Sequence, residues 1–166
     1  MSEQVWVSYL ELTQAPPAAP AREGSERIAR ERLDTASYLE LYRRVGAPWR
    51  WDRRLKMSAE SLDELLRGER LETYVLRQAQ GTALGWCEFD RREFPTLELT
   101  HFGLVPAAQG RGLGPWLLAT SLARAWRGVQ RVWLHTDTWD HPAALRCYER
   151  AGFRVYERRF ERVELL

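Results

Sequence analysis

The sequence predicts a mixed α+β domain, in which about four helices flank a central, twisted, mostly antiparallel sheet of six or seven strands. Segments with apolar residues at alternate positions, typical of strands, are interspersed with segments whose apolar residues recur every three or four positions, typical of helices. A short Gln80-Gly81 turn joins two strand patterns, which indicates a hairpin. The second half reads strand, helix, strand, helix, strand. With 166 residues in total, we expect one domain over residues 1–166.

The predicted elements of the first half begin and end at residues with suitable chemistry. Asp34 or Thr35, and later Ser58, have the short polar side chains that cap helix N-termini, and Gly46 and Gly68 follow the helical segments. A Pro/Ala-rich stretch after the first strand predicts a flexible connection. In chain order we expect a strand over 4–13, the connection over Ala15–Ala21, a short strand within 26–33, helices to about Arg44 and about Leu66, and strands over 71–78 and 82–90.

The predicted elements of the second half also begin and end at residues with suitable chemistry. Gly128 and Gly152 follow helical patterns, and Pro142 is suited to the first turn of a helix, where its missing N–H is not needed. Asp140 or His141 is the candidate cap for that helix. The expected elements are a strand over 95–105, a helix over 111–127, a strand over Arg131–Thr136, a helix over Pro142–Arg150 and a strand over Phe153–Val163.

Composition excludes several classes of function. Apolar residues make up 45% of the chain and charged residues 29%, as in ordinary soluble globular proteins. The net charge is +2 without a basic block, which argues against a nucleic-acid partner. No apolar run reaches about 18 residues and the first residues do not resemble a secretory signal, so we expect no membrane association. The two cysteines, Cys87 and Cys147, suit a reducing compartment, and we expect a cytoplasmic protein.

The segment Gln109-Gly110-Arg111-Gly112-Leu113-Gly114 lies between a predicted strand and a predicted helix. Glycines remove Cβ atoms where the backbone approaches a ligand, and they adopt positive φ without a steric penalty. The first N–H groups of the helix have no partner within the helix, and the positive end of its dipole lies there. This combination predicts a site for a phosphate or pyrophosphate.

Three kinds of anion-binding loop are candidates for this segment. A P-loop needs a Gly-Lys-Ser/Thr sequence, and the only lysine in the chain is Lys56. A dinucleotide loop needs a third glycine where this chain has Pro115. The third is the pyrophosphate loop Gln/Arg-x-x-Gly-x-Gly/Ala, which Gln109, Gly112 and Gly114 match in full. In this loop the sequence resembles the coenzyme A enzymes of the GCN5-related N-acetyltransferase (GNAT) family.

A second motif supports the same resemblance. The family motif is an asparagine, six intervening residues, a tyrosine, three intervening residues and then Gly-Phe. Here Tyr148, Gly152 and Phe153 match that spacing, and His141 stands at the position where asparagine is usual. Tyr148 follows Gly114 by 34 residues, so two motifs agree in order and spacing. The resemblance covers about residues 97–153 and implies the acetyltransferase fold, with central strands that splay apart.

The resemblance also implies a co-substrate and its binding residues. Acetyl-CoA would be the acyl donor, and no metal would be required. The backbone amides of residues 110–114 would hold the pyrophosphate, and the strand around Gly103 would pair with the pantetheine arm, with Gly103 suited to a bulge. The expected coenzyme-binding residues are Phe102, Gly103, Leu104, Gln109, Gly110, Arg111, Gly112, Leu113, Gly114 and His141.

Two further residues are candidates for the chemistry of acyl transfer. A phenol such as Tyr148 can donate a proton to the thiolate that leaves the thioester. The acceptor ammonium must lose a proton, and the resemblance makes Glu98, eleven residues before Gln109, the first candidate base. His101 is on the same predicted strand, but its odd spacing from Glu98 places it on the opposite face unless a bulge intervenes. Glu88 and Asp90 on the preceding strand are further candidates.

The acceptor is expected to be a small-molecule or peptide amine. Tyr42, Trp49 and Trp51 are the candidate acceptor-binding residues, because tryptophans alternate with arginines in this segment; the alternative is a packed loop with cation–π contacts. We expect direct transfer in a ternary complex, since Cys147 should face away from Tyr148 on a helix.

Three alternatives remain at this point. The chain could be a non-catalytic acyl-CoA-binding or sensory domain, or a nucleotide-binding module. His135, Asp137 and Asp140 suggest a metal site only weakly, because no ligand spacing supports one. Family members often dimerise, so the resemblance also implies a possible homodimer.

Overall fold

The computed structural model describes residues 2–164, which form one seven-stranded sheet with helices on both faces. The predicted α+β class is therefore confirmed. The elements are β1 Ser2–Leu12, β2 Arg27–Arg30, α1 Thr35–Gly46, α2 Ala59–Arg67, β3 Leu71–Arg77, β4 Ala83–Asp90, β5 Thr96–Leu104, α3 Leu113–Ala125, β6 Arg131–Asp137, α4 Ala144–Arg150 and β7 Arg154–Glu164. Short 3₁₀ turns follow α1 and β5.

Side-chain caps fix the starts of the first two helices. The Asp34 carboxylate accepts a hydrogen bond from the Ser37 amide at 2.9 Å, and Ser58 Oγ accepts one from the Ser61 amide at 3.1 Å. Helix α4 begins at Ala144, two residues later than the predicted start at Pro142. The reason is local, because Nδ1 of His141 accepts the Ala143 amide at 3.0 Å and holds residues 142–143 in a turn.

The strands have the order β2-β3-β4-β5-β6-β1-β7. All neighbouring pairs are antiparallel except β5 and β6, which are parallel and joined by α3. The N-terminal strand β1 thus lies between the two strands that come last in the sequence. Four of its side chains, Val5, Val7, Leu10 and Leu12, are buried, so β1 is part of the core.

The splay expected between the central strands lies between β5 and β6. Their pairing extends over three residues, from Thr96 opposite Arg131 to Glu98 opposite Trp133, and does not continue towards the C-terminal ends of the strands. Residues 99–104 therefore have an unpaired edge on the side of β6. This gap is the structural basis for the site described below.

The β-bulge in β5 is at Thr100, and the predicted bulge at Gly103 is wrong. Glu88 pairs with His101 and the next residue of β4 pairs with Leu99, so Thr100 is the extra residue, whereas Gly103 pairs regularly with Trp86. Gly103 is required for a different reason, because a Cβ at this position would lie 2.5 Å from Cγ1 of Val45 in α1.

The bulge also changes which side chains share a face of the sheet. Glu98 pairs with Asp90, and His101 pairs with Glu88, two residues earlier on β4. Since residues i and i+2 of a strand point to the same side, Glu98 and His101 lie on the same face. The expectation of opposite faces is corrected by the one extra residue.

Helix α1 covers the face of the sheet that carries Trp86 and Glu88. Its Tyr38 contacts Glu88 and its Tyr42 contacts Trp86. Helix α4 covers the opposite face, where Tyr148 packs against Phe102. Within residues 2–164, none of the helices has the length and apolar character needed to cross a bilayer.

Candidate active site

A cavity of about 1340 Å³ opens where β5 and β6 diverge. Its wall consists of the unpaired edge of β5, the glycine loop, the first turn of α3, one face of α4 and the segment after α1. The predicted site residues in its lining are Tyr42, Trp49, Trp51, Phe102, Gly103, Leu104, Gln109, Gly110, Gly112, Leu113, Gly114, His141 and Tyr148. The fold thus brings most of the residues singled out in the sequence to one place.

The glycine loop has the backbone conformation that its sequence suggested. Gly110 and Gly112 have φ values of 73° and 71°, in the left-handed region that residues with a Cβ rarely adopt. Gly112 is the N-cap of α3 and no side chain caps the helix, so the first amides have no side-chain partner. Arg111 is absent from the cavity lining, because its guanidinium binds Glu26 at 2.5 Å.

The segment at the end of the predicted connection Ala15–Ala21 and just after it crosses this loop. We call residues 20–26 the strap. Arg22 lines the cavity, donates a hydrogen bond to the carbonyl oxygen of Arg111 at 3.1 Å, and lies 5.7 Å from the centre of the Trp116 ring. Glu26 adds the ion pair to Arg111. The strap therefore brings a cation to the rim of the glycine loop, and nothing in its own sequence pattern indicated this.

Tyr148 is 7% exposed, and its ring centre lies 5.8 Å from that of Phe102 on the unpaired strand. Burial, together with the nearby charge of Asp140, raises the pKa of the Tyr148 phenol well above its usual value. The phenol is therefore protonated at neutral pH. Cys147 also lines the cavity, although we expected it to face away, and burial raises the pKa of its thiol.

Two aromatic segments meet across one end of the cavity, and we call this contact the aromatic bridge. Trp49 packs edge-on against His141 with ring centres 5.0 Å apart, and Trp51 Nε1 donates a hydrogen bond to Asp140 at 3.1 Å. Arg50 lies 5.1 Å from the centre of the Trp139 ring. The tryptophans thus line the cavity and also belong to a packed loop, and their contact with a substrate stays a prediction.

Asp140 has a structural role in holding this bridge. Its carboxylate accepts hydrogen bonds from Thr136 Oγ1 at 2.5 Å and from the Asp137 amide at 3.2 Å, besides the one from Trp51. Among the residues that the structure describes, no three His, Cys, Asp or Glu side chains are grouped so that they could hold a metal ion.

The candidate bases are in different environments. Glu98 is absent from the cavity lining, and its carboxylate forms an ion pair with Arg53 at 3.0 Å. Asp90 receives hydrogen bonds from Arg70, the shortest 2.7 Å long. His101 lines the cavity and is 6% exposed. Glu88 is wholly buried and lies behind His101 as seen from the cavity.

Glu88 accepts four hydrogen bonds in the interior. Its oxygen Oε1 lies 2.6 Å from Nη2 of Arg54, 2.5 Å from Oγ1 of Thr100 and 3.0 Å from Nδ1 of His101, while Oε2 accepts from the Tyr38 hydroxyl at 2.6 Å. Burial alone would raise the pKa of Glu88, but the charges and hydrogen bonds around it hold that pKa well below its usual value. The carboxylate is therefore ionised.

Three aromatic rings pack around the imidazole of His101. The ring centres of Tyr42, Trp51 and Trp86 lie 5.1, 5.4 and 6.2 Å from its own. Burial and the nearby guanidiniums of Arg54 and Arg53 together lower the pKa of His101 by more than the Glu88 carboxylate raises it, so the imidazole is mostly neutral at pH 7. Sequence reasoning ranked His101 below Glu98 because the bulge at Thr100 has no sequence signal.

Comparisons with known proteins agree with this geometry. The family model described as the acetyltransferase (GNAT) family matches residues 38–153. A mycothiol acetyltransferase from Mycobacteroides abscessus is 50% identical over 59 residues, which are 35% of this chain and 20% of that protein.

Solved structures show the same fold at low sequence identity. A GCN5-related N-acetyltransferase from Sphaerobacter thermophilus has a TM-score of 0.70 at 23% identity, with 96% of this chain and 51% of that chain covered. A tandem GNAT protein from the clavulanic acid biosynthesis pathway has a TM-score of 0.69 at 17% identity, with 95% and 52% covered. This chain thus spans about half the length of these two structures.

The family model covers well over half of the chain, and both of its motif regions lie in the cavity just described. The chain therefore belongs to the acetyltransferase (GNAT) family.

Proposed function

We propose that this chain is an acyl-CoA-dependent N-acyltransferase that transfers acetyl from acetyl-CoA directly to an amine in a ternary complex. One observation carries the proposal: the uncapped start of α3, the unpaired edge of β5 and the phenol of Tyr148 all open on one cavity. These are the groups needed to hold a diphosphate, to align an extended arm and to protonate a leaving thiolate.

The coenzyme would lie along the gap between β5 and β6. The amides of residues 110–114, at the positive end of the α3 dipole, would bind the pyrophosphate. The backbone of residues 102–104 would hydrogen-bond the pantetheine arm as an added strand does. His141 would offer its Nε2 proton in place of the usual asparagine, because its Nδ1 already accepts the Ala143 amide.

The reaction would be a single displacement at the thioester carbon. The acceptor ammonium loses a proton to a base, and the nitrogen of the resulting neutral amine attacks the carbonyl carbon. The carbon–sulfur bond then breaks, its electron pair stays on sulfur, and the Tyr148 hydroxyl donates a proton to that sulfur. The nitrogen releases its second proton to solvent and becomes the amide nitrogen. Glu98, the base candidate from the sequence, would act only through a water, since Arg53 holds its carboxylate outside the cavity lining.

The acceptor would be a small-molecule or peptide amine that contacts Tyr42, Trp49 and Trp51. This assignment rests on their position in the wall of the same cavity, outside the glycine loop. The relative named for mycothiol makes a mycothiol-type acceptor one member of the panel to be tested.

The test is to mix the protein with acetyl-CoA and a panel of amines and to follow free thiol, with coenzyme A binding measured by calorimetry. We expect thiol release that depends on the amine. Absence of both release and coenzyme binding would contradict the proposal.

A non-catalytic acyl-CoA-binding domain is the alternative, and Tyr148→Phe distinguishes the two. If the phenol protonates sulfur, the change should lower kcat by roughly 10²-fold while the Kd for coenzyme A stays the same. A binding domain would turn over no amine at all. Turnover that is unaffected by Tyr148→Phe would remove the phenol from the mechanism.

A further inference from the structure

We propose that His101 is the general base that deprotonates the acceptor amine, and that Glu88 is the positioning residue that holds its imidazole. This inference rests on the proposed acyl transfer and adds to it the residue that receives the proton. The observation behind it is a wholly buried carboxylate, saturated with donors, against one nitrogen of a ring that lines the cavity.

Glu88 itself is unsuited to the role of base. A carboxylate can accept about four hydrogen bonds, and Glu88 accepts four, from Arg54, Tyr38, Thr100 and His101. It has no exposed surface, so an acceptor in the cavity cannot reach it. Its remaining function is to orient and polarise the groups around it.

The buried anion selects one tautomer of His101. Nδ1 must carry the proton, because the Glu88 oxygen 3.0 Å away is an acceptor. Nε2 therefore has the free lone pair. No hydrogen bond within residues 2–164 involves Nε2, and His101 lines the cavity, so the Nε2 lone pair is available to an amine bound there.

The charges around His101 suit a base that is neutral at rest and stabilised once protonated. Arg54 and Arg53 are the cations near the ring, and both disfavour the imidazolium, as does burial. Glu88 is the anion in direct contact and favours the imidazolium. The remaining neighbours, Tyr42 and the two indoles, are uncharged at neutral pH, and burial raises the pKa of Tyr42 to about 12.

The proposed proton transfer balances in every step. Nε2 takes a proton from the acceptor ammonium and becomes part of an imidazolium. The neutral amine forms the new carbon–nitrogen bond as the carbon–sulfur bond breaks, and Tyr148 protonates the sulfur. The nitrogen releases its second proton to solvent and becomes the amide nitrogen. His101 also returns its proton to solvent, from which the Tyr148 phenolate regains one.

The first experiment compares two classes of acceptor. His101→Ala and His101→Gln should each lower kcat for a strongly basic alkylamine by about 10²- to 10⁴-fold. The loss should be much smaller for a weakly basic amine, which is already neutral at the assay pH and needs no proton removed before it attacks. The Kd for coenzyme A, measured by calorimetry, should be unchanged and reports that the variants are folded.

Two results would overturn the assignment. One is a kcat for the alkylamine within about threefold of wild type, and the other is an equal loss for both amines. If the wild-type protein itself turns over no amine, the proposed acyl transfer is wrong and the assignment of His101 is wrong with it. If the wild-type protein does turn over amines and either of the two results above is found, only the assignment of His101 is wrong.

The second experiment tests Glu88 with a matched control. In Glu88→Gln the His101 pKa should fall further, because an anion that raises it is removed. The ascending limb of kcat against pH should therefore shift to lower pH, and its plateau should drop. Glu72→Gln is the control, since Glu72 is equally buried and paired with Arg91 at 2.8 Å, but is absent from the cavity lining. Identical pH profiles for the two variants would assign Glu88 a structural role only.

Discussion

Gly112 combines two constraints in one residue. Its φ of 71° is unfavourable for any residue with a Cβ, and it caps α3 at the point where a diphosphate would bind. Gly110 also has a positive φ, and a Cβ added at this position would meet no neighbouring atom. The sequence motif and the backbone geometry therefore express the same requirement, that peptide N–H groups lie at the surface of the loop.

The replacement Gly112→Val should weaken acetyl-CoA binding at least about tenfold, because a strained, branched residue here costs about 1–3 kcal/mol and rearranges the loop. Calorimetric Kd values provide the measurement. Gly81→Val is the matched control, since Gly81 has a φ of 96° in the β3–β4 turn, away from the cavity. Equal Kd values for the two variants would contradict a binding role for the loop.

A single extra residue also decides which side chain reaches the cavity. Thr100 is the extra residue in β5, and it donates a hydrogen bond to Glu88. Without this bulge, His101 and Glu98 would point to opposite faces, as the sequence alone suggested. The candidate base depends on a backbone irregularity that residue types do not encode locally.

At the level of elements, the strap is the feature that sequence patterns describe least well. It begins at the end of the predicted connection Ala15–Ala21, and its residues Arg22 and Glu26 both bind Arg111, more than eighty residues away in the chain. Arg22 provides a positive charge in the cavity wall beside Gly112, whereas Arg111 of the glycine loop is paired with Glu26 outside that wall.

We expect Arg22→Ala to weaken coenzyme A binding about fivefold at low salt and less at high salt, since the guanidinium is partly exposed and its attraction to phosphate is screened. Binding of pantetheine, which has no phosphate, should not change. Arg67→Ala at the end of α2 is the control, because that side chain is 80% exposed and pairs with Asp63. An equal loss for pantetheine and coenzyme A would point to a damaged fold instead.

For the whole molecule, the decisive feature is the place of β1 between β6 and β7. Each buried aliphatic side chain contributes about 1.5–3 kcal/mol, so the four in β1 together rival the total stability of a typical domain. The N-terminal strand is thus needed to close the half of the sheet that carries α4 and Tyr148.

Leu10→Ala should lower the free energy of unfolding by about 2–5 kcal/mol, because Leu10 has no exposed surface and the change leaves a cavity. A decrease in Tm of roughly 5–15 °C should accompany it. Trp6→Ala on the same strand should cost less than about 1 kcal/mol, since Trp6 is 54% exposed. Similar Tm values for the two variants would mean that β1 is not integrated into the core.

Residue patterns along the chain are sufficient to predict the elements, their order and the two motifs that line the cavity. These depend on local physics: hydrophobic periodicity, helix caps such as Asp34 and Ser58, and glycines at positions of positive φ. The helix starts at Asp34 and Ser58 and the glycine conformations agree with the structure because each is set within a few residues.

Three features are visible only in the folded molecule: the position of β1, the strap across the glycine loop and the contact of Glu88 with His101. Each depends on groups far apart in the chain, such as Tyr38 and Glu88, fifty residues apart, or Arg22 and Arg111, 89 apart. The packing of the sheet brings these pairs together, and no local residue pattern predicts them. Strand pairing and the single bulge at Thr100 depend on which arrangement gives the whole core the lowest free energy, and a short segment of sequence does not encode that.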